Sequence, residues 1–322
     1  MIIVTGAAGF IGSNLIKGLN AKGHDNILAV DELTDGHKFQ NLAAVSCMDY
    51  LDCEDFLTQI QNRTAFPEKI TAIFHEGACS VTTEWNGRYM MRNNYEYSKQ
   101  LLHYCLDHKI PFIYASSAAV YGASEQFNDR ADRQNPINVY GYSKWQFDCY
   151  VLRQNIQSQV VGLRYFNVYG PHEQHKGSMA SVAFHFMNQL NAGDEVKLFS
   201  GYGGYGDGEQ LRDFIFVDDV VKVNLWFLQN SHRPQARGIF NVGTGKARTF
   251  NDIANTLIRL KGRGKICYVP FPQHLKGAYQ SYTQADIASL RAVGYDQPFT
   301  SLEAGLESYY RYFHGSEKLV TA

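Results

Sequence analysis

No stretch of this chain reaches the roughly 18 consecutive apolar residues that a membrane span requires. The first residues, Met1-Ile-Ile-Val-Thr5, read directly as an apolar strand, with no basic segment ahead of them and no cleavable apolar run. The six cysteines, at 47, 53, 79, 105, 149 and 267, show no CxxC spacing and no His/Cys cluster. That pattern excludes the usual zinc arrangements and fits buried thiols in a reducing compartment. Excess charge is missing too: the net value is −1, so the overall balance calls for neither nucleic acid nor an anionic membrane as partner. An anionic ligand would have to be met by locally placed Lys and Arg. No internal repeat is present. A cytoplasmic protein is the expectation.

What is present is ordinary globular material, 45% hydrophobic and 19% charged over 322 residues, enough for one large domain or a core with a smaller lobe. Short Val/Ile-rich runs alternate with longer amphipathic stretches. The pattern predicts strands at 2–4, 27–30, 72–75, 112–115 and 160–165, and helices at 9–22, 95–109 and 140–154, with 56–61 in another. Such alternation implies an α/β fold, a doubly wound parallel sheet of Rossmann type covered on both faces. After Gly170-Pro171 the texture changes, with a helix predicted over 178–190, a glycine-rich loop at 201–208 and fewer regular strands. The expected division is a dinucleotide-binding domain over 1–165, with returns near 213–246 and 274–295. A smaller α/β substrate lobe takes 166–212, 247–273 and 296–322, and the tail after His314 is expected to fray.

Three segments carry chemistry. Gly6, Gly9 and Gly12, with Phe10 and Ile11 between them, lie between the first strand and first helix. Glycines there permit a tight turn and close approach of a pyrophosphate to a helix N-terminus. The second strand ends in Asp31, a natural acceptor for a ribose 2′-OH, whereas Lys38 offers a cation to a 2′-phosphate. Tyr140 and Lys144 stand four apart on one helix face. An ammonium beside a phenol lowers its pKa, and a phenol so tuned can give and take a proton at a carbinol carbon.

GxxGxxG followed by YxxxK resembles the extended short-chain dehydrogenase/reductase superfamily, and Ser116-Ser117-Ala-Ala-Val-Tyr-Gly122 matches its serine element. The resemblance implies that Ser117 hydrogen-bonds the reacting oxygen beside Tyr140. It also implies that Glu76, Gly77, Ala78, Cys79 and Ser80 lie over the cofactor, with Asn93 nearby. Further runs resemble the ADP-L-glycero-D-manno-heptose 6-epimerases within that branch. They are His75-Glu-Gly-Ala-Cys-Ser80, Thr82-Thr-Glu-Trp85, Tyr165-Phe-Asn-Val-Tyr-Gly-Pro171, His175-Lys-Gly-Ser-Met-Ala-Ser181 and Leu275-Lys-Gly277. This implies inversion of a secondary carbinol of an ADP-heptose by hydride removal and return, in the service of lipopolysaccharide core assembly. The alcohol proton then leaves on one side and returns on the other, so two acid/base groups are implied, Tyr140 and Lys176. Lys144 would hold the nicotinamide ribose and tune the phenol.

By the same resemblance Val168 and Lys176 would contact the cofactor. Asn167, Ser178, His185, Phe199, Ser200, Gly201, Tyr202, Arg212 and Tyr279 would hold the substrate. Arg212 is the natural diphosphate clamp, because guanidinium donors match phosphate oxygens in pairs; an ion pair with Asp213 or Asp218 is the plainer alternative. Where these epimerases often carry Asn after the strand-end Asp and can carry Lys at position 53, this chain has Glu32 and Cys53, which weakens a preference for NADP. The expected cofactor is one tightly held NADP per subunit, with NAD as the alternative, and a homo-oligomer, a pentamer in the family, is implied. Competing readings are another nucleotide-sugar epimerase, such as a UDP-hexose 4-epimerase, and a non-catalytic NADP-sensing protein. A 4,6-dehydratase would want Thr, Asp and Glu near the serine element, where this chain has Ser117-Ala118-Ala119.

Overall fold

The computed structural model describes residues 1–129, 134–273 and 279–320; Leu275, Lys276 and Gly277, and the start of the return expected at 274–295, lie outside them. In chain order the first half runs β1 (Ile2–Thr5), α1 (Phe10–Asn20), β2 (Ile27–Asp31), α2 (Phe39–Ala43), β3 (Asp49–Asp52), α3 (Cys53–Gln61), β4 (Ala72–His75) and α4 (Gly87–Met91). It continues through α5 (Tyr97–His108), β5 (Phe112–Ser117), α6 (Val139–Leu152) and β6 (Val160–Tyr165). The second half runs β7 (Asn167–Tyr169), α7 (Val182–Ala192), β8 (Glu195–Phe199), β9 (Leu211–Phe216), α8 (Val217–Gln229) and β10 (Gly238–Val242). It ends with β11 (Ala247–Thr249), α9 (Phe250–Lys261), β12 (Lys265–Val269), α10 (Ala288–Ala292) and α11 (Leu302–Val320).

Seven strands form one parallel sheet in the order β10-β6-β5-β4-β1-β2-β3. Strands β1, β2, β4 and β6 are buried along their whole length, as expected of strands with helices on both faces. One face is sealed by α1 and α8 through Leu15, Ile16, Val220 and Phe227; the other by α3, α5 and α6 through Phe56, Leu101, Leu102 and Phe147. Strand order reverses at β1, whose neighbours are β2 and β4. In such sheets the crevice at the carboxyl ends beside the reversal receives ligands. Thr5, Asp31, His75 and Ser117, at the ends of β1, β2, β4 and β5, all deliver side chains to that edge.

Among the described residues the second half has six strands, as many as the first, against the expectation of fewer. They are short and split between sheets: β10 completes the large sheet, β11-β9-β7 form a second, and β12-β8 a third. Helices α7, α9 and α11 pack on these through Phe186, Leu190, Ile253, Leu257 and Leu306. Two predicted helices and the tail differ. The 178–190 helix starts at Val182, because Ser181 caps it through Phe184 N, and residues 174–179 form a separate turn. The 95–109 helix opens with a π turn over Arg92–Glu96 and closes on Lys109 in the left-handed conformation. The tail expected to fray past His314 continues helical to Val320. The cysteines also differ from expectation, since only Cys105 is fully buried.

Candidate active site

The chain leaves β1 at Gly6, whose φ of +68° suits glycine, and α1 begins at Phe10 with Gly9 as its cap. A Cβ on Gly6 would stand 2.6 Å from Gly77 N, and one on Gly12 would stand 2.0 Å from Gly6 O. The glycines therefore let α1, the β1 turn and the segment after β4 close on one another. No acidic residue occupies the first turn of α1 and no side chain caps it, so its positive dipole end faces the crevice uncompensated. Phe10 is buried and Ile11 half-buried beneath this turn.

Asp31 is buried at the end of β2. It accepts from Ala8 N at 2.8 Å and Glu32 N at 2.7 Å, and pairs with Lys38 Nζ at 2.5 Å. Lys38 also donates to Glu32 O at 2.7 Å and lies 3.5 Å from the Glu32 carboxylate. Two carboxylates thus share the one ammonium of Lys38, the cation expected to offer itself to a 2′-phosphate. Cys53, half-buried at the start of α3, supplies no charge of its own there, since burial, with Asp52 and Asp31 close by, pushes its thiol up to about 11.

At the end of β4, His75 is 1% exposed and held between Thr5 Oγ1 (2.7 Å) and Ser98 Oγ (2.8 Å). Burial, helped by Lys144, lowers it to about 3, so the imidazole is a neutral brace between β1 and α5. Glu76 Oε1 accepts from Tyr165 OH at 2.9 Å, while its Oε2 is buried with no partner among the described residues. Burial raises this carboxyl to about 7 against the pull of Tyr165 and Lys144. Ala78 and Ser80 are exposed, and Cys79 is half-buried, its N and O both bonded to the Asn94 side chain at 2.8 and 2.9 Å. Asn94 also donates to Ser143 Oγ on α6 at 3.1 Å. Asn93 is half-buried on the same π turn, but Asn94 is the residue that ties the 76–80 segment to α6. Sequence reasoning missed it; two adjacent Asn, poor helix formers, inside a helical stretch were the available signal.

Helix α6 starts with Asn138 capping Gly141 N at 2.7 Å. A Cβ on Gly141 would lie 2.5 Å from Ala119 O, so this glycine lets Tyr140 come up against the turn that carries Ser117. Ser117 accepts from Ala119 N at 3.1 Å and also hydrogen-bonds the Tyr140 phenol. The capping role and the pairing with Tyr140 therefore coexist. Burial raises the phenol above its usual value, the Ser117 bond opposes this, and Cys79 adds to it. The expectation that Lys144 lowers this phenol is corrected: Lys144 is not among the groups acting on it. Lys144 is 4% exposed and donates to Ala115 O at 2.8 Å, its one acceptor among the described residues. Burial brings it down to about 8, while Glu76, Asp148 and Cys79 pull it upward. One turn further on, Asp148 is fully buried against Arg164 Nε (2.8 Å), Ser116 Oγ (2.9 Å) and Tyr114 OH (2.9 Å).

The remaining candidates belong to the second half. Lys176 sits on the 174–179 turn with Nζ 5.5 Å from the centre of the Phe10 ring, at the glycine turn. Burial lowers its pKa and Glu173 raises it. Ser178 is exposed on this turn and not on a shared helix face with His185, which is half-buried on α7 beside Phe184. Asn167 and Val168 open β7, and Asn167 Oδ1 accepts from Thr283 at 3.5 Å. Phe199 ends β8, Ser200 bonds Val269 O, Gly201 N bonds Asp207, and Tyr202 stacks on Phe271 at 4.3 Å. Tyr279 meets the same Phe271 edge-on. Arg212 is 6% exposed, lies over the Tyr279 ring at 4.8 Å, and has no carboxylate partner among the described residues. Asp213 is instead taken by Thr244, Gly245 and Ala285, which removes the ion-pair alternative.

These features can be set beside known proteins. The model of the NAD dependent epimerase/dehydratase family matches residues 2–243. The ADP-L-glycero-D-manno-heptose-6-epimerase of Alkalilimnicola ehrlichii is 55% identical over 311 residues, 96% of each chain. The crystal structure of the Helicobacter pylori ADP-L-glycero-D-manno-heptose-6-epimerase is 32% identical with a TM-score of 0.82, covering 97% of this chain and 96% of that one. The Thermus thermophilus UDP-glucose 4-epimerase, solved with NAD, is 25% identical with a TM-score of 0.79 over 98% and 99% of the two chains.

Proposed function

Because the chain belongs to the NAD dependent epimerase/dehydratase family, we propose that it interconverts ADP-D-glycero-β-D-manno-heptose and ADP-L-glycero-β-D-manno-heptose by inverting C6″ of the heptose. The observation that supports this is the placement of Tyr140 and Lys176, one from each half of the chain, which we read as its two acid/base groups. Tyr140, bonded to Ser117, stands at the carboxyl edge of the sheet. Lys176 leans over Phe10 at the glycine turn of that same edge.

A nicotinamide dinucleotide suits the residues of the crevice. The uncapped start of α1 fits a pyrophosphate. Lys144, with two donors beyond its bond to Ala115 O, and the partnerless Glu76 Oε2 fit the hydroxyls of a ribose. When bound, the nicotinamide supplies a reversible hydride acceptor. Tyr140, kept neutral at rest by burial, exchanges the proton of the C6″ oxygen from one side, oriented by Ser117, and Lys176 does so from the other. Lys144 holds the ribose and leaves proton transfer to these two.

Arg212, a buried guanidinium without a carboxylate, clamps the diphosphate beside Tyr279. Asn167, Ser178, His185 and the Phe199–Tyr202 stretch complete the substrate side, and Val168 meets the cofactor through its backbone. NADP, one tightly held molecule per subunit, is the first reading of the cofactor, with Lys38 turning from Asp31 to the 2′-phosphate. The sharing of Lys38 by two carboxylates favours NAD as a second reading. Identifying the nucleotide released on denaturation, with or without its 2′-phosphate, decides between them. A homo-oligomer working in the cytoplasm completes the proposal.

Incubation with ADP-heptose and, separately, with UDP-galactose tests the reaction. Inversion of the heptose is the expected result, and turnover of UDP-galactose alone overturns the proposal in favour of a 4-epimerase.

A further inference from the structure

The Lys176 turn is held by a residue that neither the motifs nor the site account for. Glu173 is 1% exposed. One of its carboxylate oxygens accepts from Gly170 N at 3.3 Å and Ser181 Oγ at 2.7 Å, and the other accepts from Ser181 N at 2.5 Å. Its own carbonyl accepts from Lys176 N at 3.0 Å, and Tyr309 of α11 hydrogen-bonds the carboxyl. The carboxylate thus joins residue 170 to residue 181, the two ends of the segment that carries Lys176. Immediately after Lys176 the chain breaks direction at Gly177, with φ +53° and ψ −127°.

We propose that Glu173 is a positioning residue for the reaction: its buried carboxylate clamps both ends of the 170–181 segment and fixes the Lys176 ammonium over the glycine turn, beside a negative charge. This rests on the acid/base reading of Lys176. The charge matters because burial alone would disfavour the ammonium, and Glu173 opposes that. Burial raises the Glu173 carboxyl as well, and the bonds from Ser181 and Gly170, with Lys176, favour its charged form. The other groups around Lys176 are few. His175 stands beside it and feels Lys38, Asp31 and Asp35 from the segment after β2. Helix α1 presents the uncharged Phe10 ring, and α11 presents Tyr309 to Glu173.

The test measures Lys176 directly and also through turnover. Competitive acylation of the full-length protein across a pH series, read by mass spectrometry on the Lys176 peptide, gives the titration midpoint of that amine. Glu173→Gln is expected to move the midpoint down, because the carboxylate that opposes the effect of burial on this ammonium is lost. It is also expected to lower kcat roughly 100-fold with KM for ADP-heptose little changed, as for a group displaced by about 1 Å. Glu173→Asp keeps the charge and is expected to restore the midpoint and most of kcat. An unmoved midpoint in Glu173→Gln, with activity falling only in step with thermal stability, overturns the inference. If Glu173→Gln does not fold, Ser181→Ala removes one of the four hydrogen bonds to the carboxyl, together with the cap of α7, and is expected to lower kcat about 5-fold or more; wild-type kcat there is equally fatal. Lys176→Met separates the two readings. Full epimerisation in that variant, with the midpoint still shifted in Glu173→Gln, leaves the placement standing and removes the catalytic role of Lys176.

Discussion

Replacing Asp148 by Ala would strip three donors of their acceptor at once and leave the Arg164 guanidinium, itself 1% exposed, without a counter-charge. Breaking a buried pair from one side costs about 3–5 kcal/mol. Loss of the bonds from Tyr114 and Ser116 adds about 1 kcal/mol each. The expected total is therefore roughly 5–7 kcal/mol, a fall in Tm on the order of 10 °C for a chain of this size. Asp148→Ala/Arg164→Met removes both charges and fills the space with an apolar side chain, so it should recover part of the loss. Thermal unfolding followed by circular dichroism, at matched nucleotide content, reads both variants. A single variant within a few degrees of wild type would contradict the cost assigned to the Asp148–Arg164 pair. So would a double variant that falls by the sum of the two single losses. Activity should follow stability here, because Ser116 precedes Ser117 and Asp148 lies one turn beyond Lys144.

Two further outcomes follow from the site. Glu76 titrates at about 7 in the folded protein against 4.5 ordinarily, so the folded state holds a proton across that window that the unfolded chain has released. Its contribution to stability is therefore full below 4.5 and fades as pH climbs through 7. Glu76→Gln should remove this slope from the stability–pH curve measured by denaturant titration, and an unchanged slope would count against the buried carboxyl. Arg212→Lys keeps the charge but loses the paired donors, and steady-state assays should show KM for ADP-heptose raised about 10-fold or more with Tm nearly unchanged.

Where the physics is local, the sequence was legible. Apolar runs at β1, β4 and β6 and the glycine spacing before α1 marked a doubly wound parallel sheet, whereas the reversal at β1 emerges only from the strand order. Tyr140 and Ser117 were legible because Gly141 and the Asn138 cap act within a few residues of them. Electrostatics was less so. Lys144 and Tyr140 share a helix face, yet Lys144 turns to Ala115 O and leaves the phenol to burial and Ser117. Lys38 shows as a free cation in the sequence, and only the fold reveals its capture by Asp31 and Glu32. Asn94 and Glu173 were hidden for a related reason, since each acts on segments brought close by tertiary packing. In the second half the strands are shared among three sheets, a division that tertiary packing makes and local pattern does not show.

The most direct test of the two-group chemistry is the double variant Tyr140→Phe/Lys176→Met, assayed for inversion of ADP-heptose and for bound nucleotide together. No detectable epimerisation is expected, from a folded protein that still carries its nicotinamide dinucleotide. Persisting turnover in that variant would contradict the two-group chemistry.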